Sequence, residues 1–397
     1  MKYVLKPVDT FFFKNHKSLN PGEDSFAEGI FPPLPGTVYG ALRSAYIHNE
    51  TTIHDYVNGT APEAVYQYAG TPEKKGAFSL KGVYISRGSR ELVPMPNDYQ
   101  LVSEMMEDGT EIDQAYPLQL RKYHDNSHSD HHEYGLFGPI DEKSDSPEGY
   151  YIDYDHLVNG MNDGGVVNGL NMYNLSDMMD RETKIGLQRD HRTLQAVDGM
   201  LYQISMSRFS EGFHSDQSPG LIVDVNDDHQ AFSTLSVLRL GGRGRPWKIE
   251  PLSNEDREDH RLREKIVQAI SKSHVARIVL KTPAIWKKGH RPERYDDASG
   301  ELMLGDDLTV KVLSSSMPRP SLIGGWDMVN NRPKPRVPAV KPGSVLYVEV
   351  KEGQEELFCQ RIEDMQLTDD LHEEGYGRMY CLPSVKHLEE ESSCIQK

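Results

Sequence analysis

Three cysteines in 397 residues, Cys359, Cys381 and Cys394, are too few and too irregularly spaced for a zinc site or a disulfide framework. Their scarcity fits a reducing compartment and leaves stability to an apolar core. Hydrophobic residues make up only 37% of the chain, and no apolar run approaches the ~18 residues of a membrane span. Met1-Lys2 leads straight into a strand-like segment containing Lys6 and Asp9, which is not the pattern of a secretory leader. A cytoplasmic protein with no membrane partner is therefore expected. Positive charge is also short: the formal net charge is −17, which by itself argues against a phosphate-backbone partner.

That deficit is concentrated in two places. Asp141 to Asp180 holds nine acidic residues and one Lys, and Glu352 to Glu374 holds nine and one Arg. Each segment nets −8, so the remainder of the chain is nearly neutral. It contains two cationic tracts. Lys265 to Pro292 carries Lys265, Lys272, Arg277, Lys281, Lys287, Lys288 and Arg291 with no acid. Leu308 to Val348 carries Lys311, Arg319, Arg332, Lys334, Arg336 and Lys341 against Asp327 alone. Each tract is either a solvated face or a nucleic-acid surface, and the acidic segments either meet basic partners or aid solubility.

The length exceeds what one hydrophobic core usually supports, so two domains are expected. Pro7 to His48 reads as a strand around Phe11, Phe12 and Phe13, a Pro-rich loop at Phe31 to Gly36, and a helix from Val38 capped by Thr37. A helix start after a Gly-containing loop offers backbone N–H groups to an anion, which makes Gly36, Thr37 and Arg43 candidates. Phe78 to Pro96 alternates around the turn Arg87-Gly88-Ser89, a hairpin pattern. Gly135 to Gly169 has no periodicity and reads as a long loop. Met200 to Phe209 and Pro219 to Val225 read as strands. After Phe232 come a helix at Arg261 to Lys272, strands near Val275, Thr309 and Gly343, and a last strand at Gly377 to Leu382. The expected fold is α+β, two tandem ferredoxin-like domains similar to RNA-recognition motifs. They would span 1–230, with insertions near 53–75 and 101–180, and 231–397, with a glycine-rich loop.

Single-stranded RNA is held by cations, by glycines that admit the backbone, and by flat side chains for unstacked bases. Gly241-Gly242-Arg243-Gly244-Arg245 sets two guanidiniums among three glycines, or is a plain turn. Gly324-Gly325-Trp326 followed by Arg332, Lys334 and Arg336 adds an aromatic ring to Pro-spaced cations; Trp326 either stacks or anchors a core. Gly375-Tyr376-Gly377 is a short glycine-rich loop. Competing chemistry is present. His124 to Glu133 contains four histidines and three acids, Gly305-Asp306-Asp307 imitates a polymerase magnesium hairpin with Asp224 as a further carboxylate, and His16 or His48 could serve as a general base. No metal or other cofactor is expected: a solvated insertion and an ordinary hairpin turn account for the first two.

The order of Phe-Phe, a Gly-Glu-Asp loop and FPPLPGTVYGALRSA resembles the third subunit of the Cmr complex, the type III-B CRISPR RNA-targeting effector. KIGLQRDHRTLQAVDGMLYQISMSRF from Lys184, LRLGGRGRP from Leu238, LKTPAIWKKG from Leu280, IGGWDMVNNRPKPRVPAVKPGSVLYVEV from Ile323 and GYGRMY from Gly375 match in the same order. The resemblance implies a non-catalytic subunit that holds the 5′ repeat-derived tag of the guide RNA. It implies docking to the large polymerase-like subunit and to a backbone subunit of the repeat-associated RAMP superfamily. It also adds Lys184, Gly186 and Arg189 to the candidate contacts and relates Gly375-Tyr376-Gly377 to the glycine-rich loop of that superfamily. The alternative is a metal-independent RAMP endonuclease that matures guide RNA; a type III-A subunit with the same holding role is a third reading.

Overall fold

The computed structural model describes residues 1–15, 26–105, 109, 111–123, 133–161, 164–210, 217–226, 231–252, 260–327 and 332–385. It is α+β, with two large antiparallel sheets and few helices. The first sheet runs Met172–Asn174, Tyr150–Asp153, Arg90–Pro94, Ser79–Arg87, Pro219–Asn226, Lys2–Pro7, Pro246–Pro251, Val237–Arg239. The second runs Tyr295–Asp296, Glu301–Met303, Thr309–Ser316, Val345–Glu349, Val275–Leu280, Met379–Pro383.

Alternation explains how the first sheet holds its helix. Tyr3 and Leu5, Leu221 and Val223, and Phe78 and Leu80 turn the same way and pack on Val38, Tyr39 and Leu42 of the helix Pro35–Glu50. Each such fully buried large side chain contributes about 1.5–3 kcal/mol. The helix begins at Pro35, earlier than the sequence expectation, because Pro needs no N–H in the first turn and its φ is already helical. Thr37 is therefore not the cap: Leu34 holds that position, without a side-chain bond, and Thr37 is exposed inside the first turn.

The Phe triplet also differs from its reading. Phe11, Phe12 and Phe13 are buried, yet only Phe11 makes a single bridge, to Ser207. Lys2–Pro7 is the strand, and the triplet closes one end of the core through ring contacts, with Phe11 at 5.2 Å from both Trp247 and Phe209. Ring packing replaces the ladder there.

The stretch 135–169, expected to be loop, contains Tyr150–Asp153, which joins the first sheet, and the helix Tyr154–Gly160. The strands Val237–Arg239 and Pro246–Pro251, beyond residue 230 in the chain, are also hydrogen-bonded into the first sheet, where Tyr3–Pro7 pairs with Trp247–Pro251.

Helices His260–Ser273 and Glu355–Asp364 cover one side of the second sheet through Leu262, Ile266, Ile270, Phe358 and Ile362. The same core contains Val93, Met95, Tyr99, Leu101, Ala115 and Ile152 from the first half. Every residue of Val275–Leu280 is consequently buried, so the central strand of this sheet has no open face. Cys359 and Cys381 are buried thiols within that core; Cys394 lies outside the described residues. No helix among the described residues is long and apolar enough to cross a membrane.

Candidate nucleic-acid interface

The first cationic tract is largely matched by partners within the chain. Arg277 is fully buried: Nη1 donates to Asp98 Oδ2 at 3.0 Å and Nε to the Pro383 carbonyl at 3.0 Å, while Tyr347 donates to the same Asp98 oxygen at 2.6 Å. Lys281 lies 2.7 Å from Glu91, Lys287 3.0 Å from Glu293, Lys288 3.2 Å and Arg291 2.6 Å from Asp297. Burial alone would raise the Glu91 carboxyl, but Lys281 and Lys2 outweigh it and hold it at about 2. Cations so matched have little left for phosphate.

The first helix's amino end is also taken. A Cβ on Gly36 would sit 2.5 Å from Glu374 Oε2, so a carboxylate of this chain lies where an anion was expected. Lys75 meets Glu374 at 3.2 Å and Glu373 at 3.3 Å; those charges outweigh its burial and raise its pKa. A Cβ on Gly36 would also lie 3.4 Å from the hydroxyl of the buried Tyr376, whose pKa burial, with Glu374, pushes up. Gly375 and Gly377, at φ +91° and +75°, turn the chain so that Tyr376 points inward. Arg43 donates to the Ala69 and Thr71 carbonyls and to the Tyr56 hydroxyl, each at 2.6 Å. It pins the 53–75 segment onto the helix. Gly36, Arg43, Gly375, Tyr376 and Gly377 are thus brought together as a structural corner, with Thr37 exposed beside it.

Two other groups stay accessible. Met179–Arg189 and Ala196–Phe209 form a long hairpin carrying Lys184, Gly186 and Arg189, with Ile185, Leu187 and Leu194 more than half or fully half exposed. Gly186 pairs with Tyr202, whose ring lies so low that a Cβ on Gly186 would meet it at 2.3 Å. Arg243, from the Gly241–Arg245 loop, places its guanidinium 5.2 Å from the centre of that ring and donates to the Tyr202 hydroxyl. Lys184 donates to Thr10 at 3.1 Å, and Arg245 pairs with Asp9 at 3.1 Å. The Thr10 backbone N–H, with Lys184 and Arg245 adding, lowers the Asp9 pKa. Two segments far apart in sequence, 184–189 and 241–245, therefore converge on Tyr202. Gly241 and Gly242 serve the approach to Phe12: the Gly242 N–H donates to its carbonyl at 2.7 Å, and a Cβ on Gly241 would meet that oxygen at 2.6 Å. Tyr202 was not singled out from sequence, where it is one tyrosine in a strand pattern; its register opposite Gly186 is the signal.

The second accessible group is a hairpin. Ser321–Ile323 pairs with Val337–Ala339, and Trp326–Asp327 with Arg332–Pro333. Ile323 and Ala339 are buried with Ile285 and Tyr376, which roots the hairpin in the body. Trp326 is 46% exposed and so is no core anchor. Arg332, Lys334 and Arg336 are exposed, and no carboxylate among the described residues pairs with them. Gly324 and Gly325 face them, with Lys334 donating its N–H to the Gly325 carbonyl at 2.9 Å.

Among the described residues the catalytic candidates lie apart. His16 and the His124 to His132 run lie outside the described residues, and His48 is exposed in the last turn of the first helix. Asp307 pairs with Arg361 at 2.6 Å in a turn of the second sheet, whereas Asp224 sits in a first-sheet strand. Among the described residues no three His, Cys, Asp or Glu side chains are grouped to hold a metal.

Several solved structures are similar. A chain of the type III-B Cmr-beta complex bound to cognate target RNA and AMPPnP is 13% identical over 87% of this chain and 86% of that one, with a TM-score of 0.47. A chain of the Csm3-Csm4 subcomplex of the type III-A CRISPR-Cas interference complex is 12% identical over 96% and 98%, with a TM-score of 0.36. No curated protein matches. The family model of CRISPR-associated protein (Cas_Cmr3) matches residues 3–384, nearly the whole chain, and the protein belongs to that family of type III effector subunits.

Proposed function

We propose that this subunit is a non-catalytic RNA holder, gripping the 5′ repeat-derived tag of the guide RNA and docking the large polymerase-like subunit and a backbone subunit of the Cmr complex. The observation that carries this reading is the hairpin built from 321–327 and 332–339: a half-exposed Trp beside three exposed cations that no carboxylate among the described residues pairs. Such a surface binds a single strand by phosphate contacts and stacking and requires no bond-making group. Arg243 on Tyr202, with Lys184 and Arg189 carried by the same hairpin as Tyr202, supplies a second contact region.

The architectural part of the reading is a pair of ferredoxin-like units. Support comes from strand order: Lys2–Pro7, Ser79–Arg87, Pro219–Asn226 and Pro246–Pro251 lie 4-1-3-2 when numbered along the chain. Val275–Leu280, Thr309–Ser316, Val345–Glu349 and Met379–Pro383 lie in the same order. On this basis the first unit reaches past residue 230 to the strand Pro246–Pro251.

The test is guide-RNA binding by the chain co-purified with its large partner, comparing an intact 5′ tag with a scrambled one. Tighter binding of the intact tag without cleavage is expected. Equal affinity for both would reduce the protein to a non-specific binder. A discrete product from repeat RNA in EDTA, lost in His48→Ala, would put the endonuclease in its place.

A further inference from the structure

Arg243 holds a backbone conformation that its side chain does not favour. It is a non-glycine residue at φ +61°, followed by Gly244 at +58° and preceded at two positions by Gly241 at +83°, and a glycine would occupy its position without strain. Its guanidinium is exposed and lies against the Tyr202 ring. That ring has an unusual seat. Gly186 beneath it leaves no room even for a methyl group, so the ring lies against the hairpin backbone. Lys184 approaches from the same face of the hairpin, its ammonium at 3.1 Å from Thr10 and 3.5 Å from the exposed Glu182, and Arg245 stands beside Asp9.

Flat groups supported from below, with cations at the margin, are what a splayed base and its phosphate require. The guanidinium is planar, always charged and stacks on aromatic faces, so it extends the platform beyond Tyr202. We infer that Tyr202 and Arg243 form a stacking platform for one unpaired nucleobase of a bound single-stranded RNA, with Lys184 at its phosphate. The inference rests on the RNA-holding reading and adds a residue and a contact mode to it.

The experiment uses full-length chain in its effector assembly and a series of guides carrying 2-aminopurine at successive positions. One position should be quenched on binding. Tyr202→Phe should keep the quench, because the ring remains, and Tyr202→Leu should abolish it, weakening affinity about tenfold or more. Arg243→Gly is the second arm. Glycine fits φ +61°, so this variant should melt no lower than wild type while binding guide more weakly, a divergence that a purely structural Arg243 would not produce. A quench that survives Tyr202→Leu, or no quenched position in a guide that binds, overturns the platform and leaves the RNA-holding reading standing. Full affinity in Arg243→Gly overturns the guanidinium's part. A wild-type assembly that binds no guide overturns both readings.

Discussion

Glu91 shows how single side chains settle the meaning of a charge count. It lies between Lys281 at 2.7 Å and Lys2 at 3.2 Å, its side chain only 15% exposed, and its pKa falls from 4.5 to about 2. A carboxyl lowered on folding adds stability above its unfolded pKa and loses it as pH falls through the folded one. The shift corresponds to about 3 kcal/mol, present near neutral pH and fading between about pH 4.5 and pH 2. Urea unfolding of wild type and Glu91→Gln should therefore differ by that order at neutral pH and converge in acid. A gap that stays constant down to the acid limit would show that the ion pairs do not set the titration. Lys281 was legible as a cation in a tract without acid, but its partner lies some 190 positions away in the chain. Sequence proximity cannot record that pairing, nor the one that buries Arg277 against Asp98.

At the scale of elements, the hairpin of 321–327 and 332–339 differs from the Lys265 to Pro292 tract in that no carboxylate among the described residues pairs with its cations. Pro333 and Pro335 keep Arg332, Lys334 and Arg336 in extended chain, and Gly324 and Gly325 leave the facing strand bare. Replacing all three cations by Ala should leave assembly intact, since each is exposed and rooting depends on Ile323 and Ala339. Guide affinity should fall, and the slope of log affinity against log salt should flatten by about 2, at ~0.7 per lost phosphate contact on a single strand. Unchanged slope with weaker binding would point to misfolding. The residue types of this cluster were legible in the sequence because their pattern is local, glycines, ring and alternating Pro; the strand pairing was not, since the stretch reads as a Pro- and Gly-rich crossing. The first helix was legible in its apolar face and not in its amino end, where Glu374 from the far end of the chain fills the position of the expected anion. The intrachain bonds of Arg43 escape local reading for the same reason, its three oxygen acceptors lying 13 to 28 residues downstream.

Across the whole molecule, the 101–180 segment is a structural part of the second sheet's core. The sequence marks it as an insertion and 135–169 within it as a loop, the stretch being without clear periodicity. Yet Leu101, Ala115 and Leu120 are buried in one cluster with Ile278, Leu346 and Tyr380. Asp98, just before it, neutralises the buried Arg277. The alternation that signals a half-buried strand is blurred when a segment is buried by another layer on contacts distant in the chain. The consequence can be measured. Removing 101–147 with a short linker strips at least two large core side chains, Leu101 and Leu120, at about 1.5–3 kcal/mol each. It also uncovers the apolar surface they cover, against a total stability of about 5–15 kcal/mol. The shortened chain should bind a hydrophobic dye, lose its near-ultraviolet circular dichroism and keep much of its far-ultraviolet signal, the signature of a core without fixed packing. A cooperative transition close to that of the intact chain would instead make the segment a dispensable appendage. The central strand Val275–Leu280 would then have to be protected by something other than this layer.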